Sequence, residues 1–400
     1  METRIISFYR RIALNYSSIT SLLKKTLKKI YLSYQPYDGP TLFSTRGPIH
    51  CGLASEIAIA SGGYQIIIRR EDERRFEIPL TDNPNIANFF SNFTHSRYPP
   101  VSITAIPGGH IYSDGAVFSP DGTVLARDLS LDFSSPIDSH YLCRKPIHRS
   151  KPLKGSTLAV ASWQTRSYYH WLLDELPRYL LSDIPAFDQI VCSRDTAINR
   201  EALRALGLEN KKILPLDQAK HYECDLLITP SYIAPTGEPS LYLVELLTEA
   251  VQPLISTTKN YPEKIFISRK SARGRRIINE DAIFQLFEAQ GYTRINLENL
   301  PWRDQINIFY YAQEIFAPHG AGLANLVFCS RKPLVIELFN TKYLHWCFWR
   351  LATLVGARYM PMAFPLMELV EHNLAAGNLD INVSNPAELI SLYQSLRANL

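Results

Sequence analysis

From residue 155 onward, short apolar runs alternate with amphipathic stretches, and they do so twice. In the first series, apolar runs at 156–161, 189–192, 212–216 and 225–229 are separated or followed by helical patterns near 170–182, 197–206 and 240–254. Runs rich in Val, Ile and Leu suit strands buried on both faces, and parallel strands need long crossovers between them. A polar break at 256–263, rich in Thr, Lys, Asn and Pro, ends this series. The second places strands at 264–268, 292–297, 314–318 and 334–338, with helices near 279–289, 303–312, 323–328 and 345–355. The expectation is an α/β protein with two Rossmann-like lobes facing a cleft. Two further helices are expected after 365, interrupted near 376–378, with Pro386 starting the last.

Residues 40–150 read differently, as short strands at 64–69, 101–106, 116–118 and 124–126 broken by turns. The Asp121-Gly122 pair between two apolar runs is a hairpin signal, because glycine accepts the positive φ of a tight turn. The predicted organisation is therefore a basic amphipathic arm (1–39), an amino-terminal lobe that is β-rich and then Rossmann-like (40–258), a second Rossmann-like lobe (259–365) and terminal helices (366–400). With 400 residues and 46% hydrophobic composition, the chain is long enough for more than one core.

Charge excludes one class of partner. Lys and Arg number 42 against 38 Asp and Glu, so the net charge of +4 creates no field that would recruit a polyanion, and nucleic acid is not expected. The excess is concentrated in the first 35 residues, where Arg4, Arg10, Arg11, Lys24, Lys25, Lys28 and Lys29 face one acid, Glu2. Interspersed with Ile5, Phe8, Ile12, Leu22 and Leu27, they make a composition that suits an anionic membrane surface. No run approaches the roughly 18 apolar residues of a membrane span, nor is there the apolar core of a secretory signal. A cytoplasmic location follows as the expectation, with peripheral contact at the inner face of the membrane through the arm. The six cysteines are scattered without zinc or redox spacing and read as reduced, mostly buried thiols.

Three segments carry chemistry. The turn Ala317-Pro-His-Gly-Ala-Gly-Leu-Ala-Asn follows an apolar strand and opens a helix. Gly320 and Gly322 let the backbone approach a ligand, and the free N–H groups at the helix start favour a phosphate. Upstream, Arg269, Arg273, Arg275 and Arg276 follow a strand at the end of a sheet, where α/β proteins bind ligands, and guanidinium groups fork onto phosphate oxygens. In the third segment, Tyr168-Tyr-His-Trp-Leu-Leu-Asp-Glu-Leu-Pro-Arg, His170 and Asp174 stand four apart on one helical face, and Asp174, ahead of His170, is the expected base for an acceptor hydroxyl. Trp171 beside them is placed to stack on a sugar ring. No Asp-x-Asp pair stands at a strand end, so no metal and no cofactor is expected; signatures of P-loop NTPases, α/β-hydrolases and dinucleotide dehydrogenases are absent.

Taken in order, these segments resemble glycosyltransferase family 61, of the capsular polysaccharide biosynthesis type. The resemblance rests on His170-Trp-Leu-Leu-Asp-Glu-Leu-Pro-Arg, on Ile267-Ser-Arg with Arg275-Arg-Ile-Ile-Asn-Glu, and on Pro318-His-Gly-Ala-Gly-Leu-Ala-Asn followed by Val335-Ile-Glu-Leu. It implies a GT-B fold and an inverting, metal-independent transfer from a nucleotide-diphosphate sugar such as a UDP-sugar, which is a substrate, to a glycan or glycolipid hydroxyl. It also implies donor contacts from Arg269, His319, Gly320, Ala321, Gly322, Asn325 and Glu337, to which the segments themselves add Arg275, Arg276 and Leu323, and a cleft-facing first-lobe motif of His170, Asp174 and Arg178, with Trp171 added on the acceptor side. A catalytically silent nucleotide-sugar or glycan-binding protein, or a membrane-associated scaffold of polysaccharide synthesis, is the alternative reading.

Overall fold

The computed structural model describes residues 43–113, 115–131, 136, 138–143, 145–162, 167–216, 220–364 and 378–398. The basic arm and the first of the two terminal helices lie outside them. The chain divides into two units, Met1–Phe43 and Ser44–Leu400, and the second is described below. It is a mixed α/β structure, and among the described residues no helix is long and apolar enough to cross a membrane.

Five parallel strands form one sheet in the order Thr293–Ile295, Lys264–Ile267, Glu314–Pro318, Leu334–Asn340 and Arg358–Phe364. Glu314–Pro318 and Leu334–Asn340 are buried at every position, as strands covered on both faces must be. In chain order the sheet runs second, first, third, fourth, fifth. Its direction of growth therefore reverses between Lys264–Ile267 and Glu314–Pro318, which leaves a crevice at the carboxyl ends of those two strands. No strand was expected at the fifth position, and Pro361 within it does not suit a sheet interior. Arg358–Phe364 is an edge strand with a single neighbour, where a missing N–H is tolerated.

The larger sheet contains four parallel strands in the order Lys212–Pro215, Gln189–Cys192, Lys151–Ala159 and His221–Pro230. Here too the order reverses, between Lys151–Ala159 and His221–Pro230. Beyond the latter, Val101–Pro107 and His110–Tyr112 pair antiparallel and carry the β-rich section into the same sheet. One apolar cluster joins the two sheets, running from Leu158, Leu172 and Leu243 to Ile265, Trp302 and Trp349.

The expected helix at 170–182 is corrected. A single α-turn, Tyr168–His170, passes into a π-helical turn, Trp171–Glu175, and then a 3-10 turn, Leu176–Tyr179. Pro177 cannot donate to the carbonyl one turn back, so the α-pattern cannot continue through it, and Leu176 donates instead to Trp171 O. The wider turn sends Asp174, Glu175 and Arg178 inward together, and all three are buried. The segment after His319 is likewise a 3-10 helix, Ala321–Phe328.

Candidate active site

The crevice of the five-stranded sheet is built around Arg269. Strand Lys264–Ile267 runs directly into Ser268 and Arg269, and Glu280, buried in the first turn of helix Glu280–Glu288, accepts from Ser268 Oγ (2.6 Å) and from the Arg269 N–H (3.1 Å). This fixes the backbone from which the guanidinium projects. Arg269 Nη2 donates to Gly274 O at 3.1 Å, and the group lies flat against Gly320. A Cβ at position 320 would stand 2.1 Å from Nη1 and 2.6 Å from Cζ. Because the φ of Gly320 is extended, at 176°, glycine is needed there for space and not for conformation. Gly320→Ala is therefore expected to push the Arg269 guanidinium out of place and to weaken binding of the nucleotide-diphosphate donor that the resemblance implies by roughly tenfold, the equivalent of one charge-assisted hydrogen bond, with little change in thermal melting. Calorimetric titration of the variant checks this.

Arg275, in a left-handed backbone at φ 59°, stands close enough to Arg269 and His319 to act on both electrostatically. The Nε atoms of both Arg269 and Arg275 are buried without a hydrogen-bond partner. Burial first, and then the like charge of Arg275, pull the Arg269 pKa down. Two mutually repelling, incompletely satisfied cations are costly unless an anion completes them. A pocket of about 180 Å³ opens beside Arg269, which lines it together with Ile267, Leu297, Gly322, Leu323, Tyr168 and Ile198.

His319 stands between the arginines and the sheet. Its Nδ1 is hydrogen-bonded to Glu337, whose other oxygen accepts from the Tyr359 hydroxyl, and Glu337 is wholly buried. Burial, Arg275 and Arg269 hold the His319 pKa well below its usual value, and burial drives Glu337 well above the carboxylate range. The pair therefore favours its net-neutral form, in which one proton lies within the Glu337–His319 bond and Nε2 carries the other. In that form His319 presents an N–H to its surroundings.

At the reversal point of the larger sheet stands a second cluster. His170 Nδ1 is 2.7 Å from Asp174 Oδ2 and 3.0 Å from Thr236 Oγ1, and the Thr236 hydroxyl also donates to Asp174. An ionised carboxylate only accepts, so Nδ1 carries the proton and Nε2 is left with a lone pair. Asp174 is 4% exposed against 22% for the His170 side chain, so the histidine faces outward and the carboxylate orients it from behind. The expectation that Asp174 is the base is therefore corrected: the carboxylate is buried and engaged by His170 and Thr236, and the geometry favours His170.

The two clusters are contiguous. His170 packs edge-on against Tyr169, Tyr169 against Phe348, and Phe348 against His319, with ring centroids 5.1, 5.5 and 5.3 Å apart. On the other side, His345 lies 5.8 Å from His319 by ring centroid and 3.9 Å from the position of a Cβ at Gly237, next to Thr236. Tyr168 donates to Asn325 Oδ1 at 2.6 Å and accepts from Trp302 Nε1 at 3.2 Å, which locks the His170 segment onto the Ala321–Phe328 helix.

Several expected contacts belong instead to the framework. Asn325 is buried, and its amide is engaged by Tyr168, Gln305 and Gly322. Trp171 packs edge-on against Trp302 at 5.7 Å and offers no face to a sugar, because the π-turn rotates it into the core. Arg178, 2% exposed, donates to the carbonyls of Ala159, Val160, Ala161 and Pro230, clamping the carboxyl ends of the two strands that flank the reversal. Arg276 is exposed and forks onto Asp380, pinning its loop to the terminal segment. Glu337 acts on His319. Arg269, Arg275, His319, Gly320, Ala321, Gly322 and Leu323 remain around the crevice. Thr236, Tyr359 and His345 were missed, since each enters the site from far along the chain with no local pattern to mark it.

The structure thus brings together a crevice at the carboxyl end of an open α/β sheet, lined by Arg269, and a carboxylate-oriented histidine. Residues 168–336 match the family model of Glycosyltransferase 61, a span that begins at Tyr168 and contains His170, Asp174, Arg269 and His319. The chain is also similar to the EGF domain-specific O-linked N-acetylglucosamine transferases of Drosophila melanogaster, at 32% identity over 97 residues, and Xenopus laevis, at 29% over 102 residues. Each match covers 24% of this chain and 18% or 19% of the relative, so the chain spans less than a fifth of the length of these relatives. Together these similarities support a glycosyltransferase.

Proposed function

We propose that the chain transfers a sugar from a nucleotide-diphosphate donor to a hydroxyl acceptor by a single inverting displacement, as a two-lobed GT-B enzyme. The observation that carries this reading is the pair of half-buried arginines, Arg269 against the Gly320 turn and Arg275 close to it, each with a buried Nε that has no hydrogen-bond partner. As the glycosidic bond breaks, the leaving diphosphate gains negative charge, and fixed cations placed where that charge develops lower the barrier. Arg269, Arg275 and the Nε2–H of His319 take that part, so the proposed transfer is metal-independent. His170 Nε2 removes the acceptor proton, with Nδ1–H held by Asp174 and Thr236. The acceptor oxygen then bonds to the anomeric carbon as the diphosphate departs from the opposite face.

The donor is proposed to be a UDP-sugar, and N-acetylglucosamine is the sugar to try first because the relatives' names carry it. For the acceptor we propose a glycan or glycolipid of capsular or cell-surface polysaccharide synthesis on the cytoplasmic side, with the basic arm turned to the membrane; its composition supports that placement. The test is nucleotide release from a panel of UDP-, GDP- and CMP-sugars in EDTA, with saccharide, glycolipid and EGF-domain acceptors. One donor is expected to turn over only when an acceptor is present, giving a product of inverted anomeric configuration by NMR. Binding without turnover of any donor would favour the silent binding protein instead.

A further inference from the structure

Cysteine spacing along the chain gave no pair, yet folding makes one. Cys51 and Cys143 approach to 3.8 Å between sulfurs, each partly exposed, although they are 92 positions apart. The other four cysteines, Cys192, Cys224, Cys329 and Cys347, are buried. We propose that Cys51 and Cys143 form a disulfide when the protein meets a disulfide oxidant, closing the strand His50–Gly52 covalently onto the turn that ends at Cys143.

Backbone contacts on both sides hold the pair in place. Cys51 is the centre of His50–Gly52, in parallel register with Leu125, and two residues beyond that strand the Ala54 N–H donates to Asp128 Oδ1 at 2.9 Å. Just before it, the Gly47 N–H donates to Lys145 O at 2.5 Å. The chains meet there so closely that a Cβ at Gly47 would stand 2.5 Å from Leu142 O. On the other arm, the Cys143 N–H donates to His140 O at 2.9 Å, and Leu142 is packed in an apolar cluster with Phe118, Leu125 and Ile147 against which Cys51 rests. Bonding requires the sulfurs to close by only about 1.8 Å, to the usual S–S length.

The reaction balances with an oxidised thiol such as glutathione disulfide. One cysteine thiolate attacks a glutathione sulfur and expels the first glutathione; the second thiolate attacks the mixed disulfide and expels the other. The two protein thiols are oxidised, the glutathione disulfide is reduced, and the two thiol protons leave on the two glutathiones. Burial and the neighbouring Cys143 push the Cys51 thiol up to about 12, so its thiolate is scarce at neutral pH and the bond forms faster as pH rises. A bridge across so long a loop removes much of the unfolded chain's freedom.

The experiment equilibrates the full chain with oxidised glutathione, then with dithiothreitol. It reads free thiols by maleimide mass shift after denaturation, linked peptides by non-reducing digestion, and thermal melting. Expected are four remaining thiols of six, one linked pair containing Cys51 and Cys143, and melting raised by roughly 5 °C and restored by dithiothreitol. Cys51→Ser and Cys143→Ser should each lose the oxidant-dependent shift. Six free thiols after equilibration, a link elsewhere, or a glutathione adduct on one cysteine without closure would overturn the proposal. The wild-type peptide map decides the matter even where a serine variant fails to fold.

Discussion

His170→Ala is expected to lower kcat by about 10²- to 10⁴-fold, the usual contribution of a positioned general base, while leaving the affinity for UDP and the melting temperature near those of the wild type. The reason lies in what surrounds the ring: its Nδ1 is engaged by Asp174 and Thr236, and the side chain is the exposed member of the cluster. Asp174→Asn should be nearly as damaging despite its matching shape. An amide that donates to Nδ1 moves the ring proton to Nε2, where it blocks proton abstraction. Asp174→Asn with near-normal kcat would mean that the carboxylate only braces the turn, and His170→Ala with near-normal kcat would remove the ring from the mechanism.

Arg269→Ala is expected to cost about 10²- to 10³-fold in kcat, as loss of a preorganised donor to a developing anion does, and roughly 10- to 100-fold in UDP affinity. Its melting temperature should not fall. The deletion removes a half-buried cation whose Nε has no partner and relieves its repulsion with Arg275, so an unliganded site loses little by it. A cation whose role was to hold the fold would behave in the opposite way. His319 adds a pH signature in the same crevice. In the proposed mechanism the donor is held by Nε2–H, which the pair presents while it holds its second proton, so affinity should be full at lower pH and decline as pH rises through the elevated pKa of Glu337. Glu337→Gln donates to Nδ1 without titrating and should flatten that decline.

The sheets were legible because buried parallel strands leave continuous apolar runs. The strands Gln189–Cys192, Lys264–Ile267 and Glu314–Pro318 stand where those runs predict. Arg358–Phe364 contains Pro361, whose tolerance depends on the edge position that only tertiary pairing creates. The helix Pro84–Ser91, which carries an Asn83 cap and Pro at its first position, offered a readable start signal that went unused. At the candidate site, residues next to strand ends, Arg269, His319 and the two glycines, could be singled out from local sequence, and the structure places Arg269 against Gly320. Pro177 should have warned against a regular helix through His170 and Arg178. The π-turn it provokes is what reassigns Trp171 and Arg178 to the framework and puts Asp174 behind His170. Thr236 stands 62 positions from Asp174, and no spacing rule connects them.

The central claim is that the crevice at Gly320 is a diphosphate site completed by two arginines. It is tested most directly by calorimetric titration of UDP in EDTA against the wild type, Arg269→Ala and Arg275→Ala, with melting curves as the control for folding. The account predicts binding by the wild type and at least tenfold weaker binding by both variants at unchanged or higher melting temperature. Equal affinity across the three proteins, or no binding to folded wild type at millimolar UDP, would contradict it.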